Sequence, residues 1–132
     1  MSDKGRWVVT LDKILESIGK TEGFMVTDLH AEDILEVTTR ERHTCLFKII
    51  DPHSGLAEAT GSDPRFNQPI RVYINGSLMS PFGTSIRTKW VGLGYQLEIG
   101  VEGQPLCFSL SETVSASING IVIMPTENKT LN

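Results

Sequence analysis

The densest group of side chains able to do chemistry is Asp28, His30, Glu32 and Asp33, with Glu36 close by. No Lys or Arg interrupts positions 21–39, so the stretch is uniformly acidic. In an extended strand Asp28 and His30 share a face, as two ligands of one metal centre must. Asp51-Pro52-His53 repeats the Asp-x-His pairing. Carboxylates combined with imidazoles suit zinc or a harder divalent ion, and the same groups can exchange protons as an acid/base pair. The spacing matches no established motif, however, and Pro52 prevents a regular strand at the second pair. The competing reading is a pair of solvated turns, Ala31-Glu32-Asp33 and Asp51 to Gly55. Asp28, His30 and His53 therefore carry the enzymatic alternative, a small metal-dependent or acid/base enzyme. No residue is assigned as catalytic or as a metal ligand, and no cofactor is expected.

Nucleophilic chemistry has less support. His43 and Cys45 are two apart and share a strand face, but Cys45 falls in line with Phe47 and Ile49. A thiol in apolar surroundings keeps its proton, so Cys45 reads as a core residue. Gly-x-Ser-x-Gly is absent. Gly92-Leu93-Gly94 lacks the third glycine and the following helix of a dinucleotide fingerprint, and reads as a bend.

Binding candidates come from apolar residues in polar loops. Arg65 and Phe66 sit within Gly61–Pro69, and Met79 and Phe82 within Leu78–Thr84. Loops carry recognition groups, and aromatics with Arg are enriched where partners meet. Arg65, Phe66, Met79, Phe82, Asp28, His30 and His53 are the candidate ligand or partner contacts. The opposing reading tucks each phenylalanine back to plug the end of the core.

The elements that must position these groups are mostly strands. Leu11, Ile14, Leu15 and Ile18 fall on one helical face, with Thr10 as N-cap and Gly19 as stop, predicting a helix over about 10–19. After Gly23 the period becomes two. Strands are predicted over 34–39, 43–50, 70–74, 86–90, 95–99, 106–110, 114–118 and 121–124. Asn75-Gly76 and Asn119-Gly120 carry the type I′ hairpin signal. Clean apolar/polar alternation without helical crossovers describes antiparallel pairing. The fold class is mostly β (α+β): an antiparallel β-barrel or sandwich with one short N-terminal helix.

The chain of 132 residues fits one domain, 1–132, with an ordered core over about 6–125 and a polar tail at 126–132. Of the ionisable residues, 12 acidic and 8 basic lie in 1–67, and four of each in 68–132. That balance lacks the basic stripe that nucleic acid or an anionic membrane requires, so neither is expected as a partner. The polar opening Met1–Arg6 is followed by no apolar signal segment, so the expected compartment is the cytoplasm, with Cys45 and Cys107 expected as free thiols. The 113–124 hairpin contains no Lys, Arg, Asp or Glu, and Ile121-Val122-Ile123-Met124 shows no polar alternation. An uncharged edge is a template for another chain, which predicts a homodimer or larger closed assembly. The leading functional reading is thus a non-enzymatic module that self-associates and holds a small molecule or protein with its loops.

Overall fold

The computed structural model describes residues 22–79 and 85–125. The helix expected over 10–19, Phe82 and the polar tail lie outside those residues. The described part is mostly β with antiparallel pairing, and its helical content is two short 3₁₀ turns, Val26–Asp28 and Pro64–Phe66.

The strands are β1 (Gly23–Met25), β2 (Ile34–Thr39), β3 (Thr44–Asp51), β4 (Leu56–Gly61) and β5 (Ile70–Leu78), followed by β6 (Ile86–Thr88), β7 (Trp90–Gly92), β8 (Gln96–Val101), β9 (Gln104–Ile118) and β10 (Ile121–Ile123). β1 and β7 form a two-stranded sheet of their own. In the larger sheet β2 pairs with β3, β3 with β4, β4 with β5, β5 with β8 and β8 with β9. The long β9 then returns to β2: its Gln104–Leu110 part faces β8, and its Ser111–Ser117 part faces β2.

Period-two alternation builds the core. Leu35 and Val37 of β2, Phe47 and Ile49 of β3, Val72 and Ile74 of β5, and Leu97 and Ile99 of β8 are all buried. Each such side chain contributes about 2 kcal/mol by leaving water. Cys45 joins this cluster at 3% exposure, as its alignment with Phe47 and Ile49 implies.

Four local features depart from the sequence expectations. Asn75-Gly76 is not a hairpin turn: β5 runs through it to Leu78, and the pairing with β8 shifts register between Ile74 and Gly76. Gly76 sits at φ 141°, and a Cβ there would come 2.1 Å from the Arg87 carbonyl oxygen. Glycine is needed for that close approach, not for a turn. Second, the segments 106–110 and 114–118 are one strand. A register irregularity where β9 pairs with β2 puts Ser111 on the buried side and leaves Glu112 and Thr113 exposed. Third, Lys89 at φ 55° divides the expected 86–90 strand, so Trp90 is buried while Ile86 and Thr88 are exposed. Fourth, β4 has no counterpart in the expected strands, because its inward residues are the alanines 57 and 59 rather than β-branched or aromatic side chains. Asn119-Gly120 does turn the chain between β9 and β10, with both residues at positive φ.

Candidate ligand cleft

Three segments meet where β2 ends: the β2–β3 turn, the Asp63–Phe66 turn after β4, and the facing stretches of β8 and β9. They enclose a cleft of about 290 Å³ lined by Thr39, Glu41, His43, Cys45, Asp63, Arg65, Gln96, Cys107, Phe108 and Ser109. Backbone bonds lock the segments together. Arg40 N–H donates to the Leu110 carbonyl at 2.8 Å, and Ser62 N–H donates to the Thr44 carbonyl at 2.9 Å. Thr44 N–H in turn donates to Ser62 Oγ at 2.9 Å. Gly61 allows this docking: a Cβ there would stand 2.1 Å from the Thr44 carbonyl oxygen.

Asp63 is the organising residue. It caps the Pro64–Phe66 turn, its Oδ1 accepting from Arg65 N–H at 2.9 Å, with proline at the first position where no donor is wanted. Arg65 then folds its side chain back over the same carboxylate. Nε donates to Oδ1 and Oδ2 at 3.0 and 3.1 Å, and Nη2 donates to Oδ2. The Asp63 side chain is 7% exposed and that of Arg65 is 49% exposed, so the pair has one buried and one open end. The Arg65 hydrogen bond pulls the Asp63 carboxyl down to about 2 despite its burial, with the charges of Arg65 and His43 adding to the effect. His43 Nδ1 lies 3.4 Å from Asp63 Oδ2.

Apolar groups back the ion pair. The Arg65 guanidinium carbon lies 5.9 Å from the Phe66 ring centroid and 5.8 Å from that of Phe108. The two rings meet edge to face with centroids 5.8 Å apart. The surroundings raise both thiols of the cleft. Burial pushes Cys45 up to about 12, and burial followed by the nearby Glu98 carboxylate raises Cys107. Cys107 Sγ is 3.9 Å from Glu98 Oε1. Gln96 donates its side-chain N–H to the Phe108 carbonyl at 3.2 Å. Ser109 Oγ is buried in the cleft wall with no hydrogen-bond partner among the described residues.

Of the candidate contacts that lie among the described residues, Arg65 alone lines this cleft; His43, Cys45 and Cys107, weighed above for other roles, line it too. Phe66 is fully buried and packs under Arg65 as a core plug. Met79 is half-buried at the end of β5, its N–H donating to the Ser85 carbonyl at 2.9 Å. Asp28 is exposed at the end of the first 3₁₀ turn, and His30 and His53 are exposed in two different turns. His30 N–H donates to Asp33 Oδ2 at 2.8 Å, and His53 N–H donates to Asp51 Oδ1 at 3.1 Å. The second is an Asx-turn bond, and in the first the Asp33 side chain reaches back three residues; both are made within one loop. Among the described residues no three His, Cys, Asp or Glu side chains are grouped to hold a metal ion. The sequence reading missed Glu41, Asp63 and Gln96, and weighed His43 only beside Cys45. Asp63-Pro64-Arg65 did carry a signal, since an acidic cap before proline starts a turn in which the cap and the third residue meet.

No family model matches this chain, and neither a curated protein nor a solved structure is similar to it.

Proposed function

We propose that the chain is a non-enzymatic binding domain whose ligand site is the Arg65 cleft. One observation carries this reading: the cleft presents a guanidinium fixed in place, Arg65 being held along one edge by the buried Asp63 carboxylate while its side chain stays half-exposed. Cys45 is buried and kept as a thiol, and thiolate is the nucleophile. Asp63 is an ionised carboxylate with both oxygens bonded to Arg65, which leaves it a poor base. What remains is a concave surface of polar side chains on a rigid antiparallel frame, the usual makeup of a recognition site. The return of the pairing from β9 to β2 supports reading that frame as a barrel with the cleft at its rim. The metal-dependent or acid/base alternative on Asp28, His30 and His53 has less behind it, because all three are exposed, none lines the cleft, and no three such side chains are grouped to hold a metal among the described residues. Titrating a fragment collection into isotope-labelled protein tests the reading. Shifts should centre on the Arg65 side-chain Nε–H and the Gln96 amide and weaken in Arg65→Gln. Responses scattered away from the cleft would refute it.

A separate observation favours self-association. β10 pairs only with β9 among the described residues, and Ile121 and Val122 are 65% and 64% exposed there. A three-residue apolar edge without charge is the template that a second copy can extend. Light scattering should give a mass above the monomer's 14.6 kDa at micromolar concentration, falling to the monomer in Val122→Lys. A concentration-independent 14.6 kDa for the unchanged chain defeats the assembly reading. Among the described residues no helix is long and apolar enough to cross a membrane. The two free thiols favour a reducing compartment, the cytoplasm.

A further inference from the structure

We infer that the Arg65 cleft takes a small zwitterion, with its carboxylate on the outer edge of the Arg65 guanidinium and its ammonium group on Glu41; the inference rests on the cleft being a binding site. Arginine carries five N–H donors. Nε–H and one Nη2 N–H are committed to Asp63. That leaves the two Nη1 donors and the second Nη2 donor on the half-exposed side of the group, where a carboxylate can be taken in fork geometry. Asp63 and the two phenyl rings fix the plane of the guanidinium beforehand, so little side-chain freedom is lost on binding.

Charge favours a guest that carries both signs. Asp63 is already paired with Arg65, so the groups left for a guest are the outer donors of Arg65 and the carboxylate of Glu41. A bare anion answers only the first, and a bare cation only the second. Glu41 is exposed on the β2–β3 turn and is close enough to act on Arg65 through its charge. No hydrogen-bond or ion-pair partner of its carboxylate is seen among the described residues. A molecule with one charge of each sign complements both side chains at once. The cleft volume of about 290 Å³ lies near the lower limit of ligand pockets, which restricts the guest to a few heavy atoms. Phe108 and Cys107 supply an apolar wall for a short methylene spacer.

The test is nuclear magnetic resonance titration of the full chain with glycine, β-alanine and 4-aminobutyrate, set beside propionate, propylamine and propionamide. The expected result is that one of the three amino acids shifts the Arg65 Nε–H and Gln96 amide signals with an affinity about fivefold above propionate and propylamine, the gain of one solvent-exposed ion pair. Glu41→Gln, on an exposed turn, should reduce that amino acid to the propionate level. Arg65→Gln should abolish the response, with preserved spectral dispersion showing that the variant folds. Equal responses to propionate, propionamide and the amino acids would overturn the zwitterion assignment while leaving a binding cleft. No response at the cleft to any of the six would overturn both.

Discussion

Asp63→Asn isolates the charge of the residue around which the cleft is built. Asparagine keeps the side-chain oxygen that accepts from Arg65 N–H, so the turn cap survives and only the ionic part is removed. The Arg65 hydrogen bond is the largest cause of the fall of the Asp63 carboxyl from an ordinary 3.8 to about 2. A drop of nearly two units, at about 1.36 kcal/mol each, corresponds to roughly 2 kcal/mol of preference for the ionised folded state. Arg65 shows the matching upward displacement from the same contact, which is counted once. Because the folded value is depressed, this stability is present in full above the unfolded value and is lost as pH falls through about 2. Urea denaturation of both proteins at pH 7, 4 and 2.5 reads the difference directly. The expected gap is about 2 kcal/mol at pH 7, somewhat smaller at pH 4 and well under half of that at pH 2.5. A gap that stays constant across this range would mean the loss comes from packing, and a gap below about 0.5 kcal/mol at pH 7 would mean the pair is solvated like a surface bridge.

Three further outcomes follow from the same geometry. Gly61→Ala should destabilise by about 2–3 kcal/mol in urea, because the Thr44 carbonyl that its Cβ would strike is backbone and cannot swing aside; an unchanged midpoint would show that the Asp63 turn is not pinned against β3. Phe66→Ala should cost about 3–4 kcal/mol, as expected of a fully buried ring packed on Phe108; a loss under about 1 kcal/mol would restore it as a surface contact. Iodoacetamide at pH 8 followed by mass spectrometry should add one group per folded chain, at Cys107, and two after unfolding, since Cys45 is buried and Cys107 is exposed. Early modification of Cys45 would contradict its burial.

The strands were legible wherever one face was apolar and large. Leu35 and Val37, Phe47 and Ile49, and Leu97 and Ile99 are in the core as their alternation requires. Legibility failed where small residues or bulges carry the structure. Ala57 and Ala59 are fully buried in β4, yet alanine contributes no β signal. Asn75-Gly76 has the composition of a hairpin turn and serves instead as a bulge, because what fixes it is the Arg87 backbone eleven to twelve positions away in sequence. Local composition cannot report a steric demand made by a distant strand.

The cleft illustrates the same limit from the side of chemistry. From the sequence, reactive potential was sought in runs of acidic and histidine residues, and Asp28, His30 and His53 stood out because they cluster along the chain. Proximity in sequence favoured turns there, since short polar side chains most easily bond their own backbone. The groups that do converge are spread from Thr39 to Ser109 and are joined by β2, β3, β8 and β9. Their convergence settles chemical character as well as position. Cys45 is a thiol because the core that β3 builds surrounds it, and Asp63 is a locked anion because a two-residue turn brings Arg65 back over it. Cys45 and Asp63 are thus committed to holding the cleft's shape. In the proposed reading recognition falls to Arg65 and Glu41, whose side chains lie at its open side.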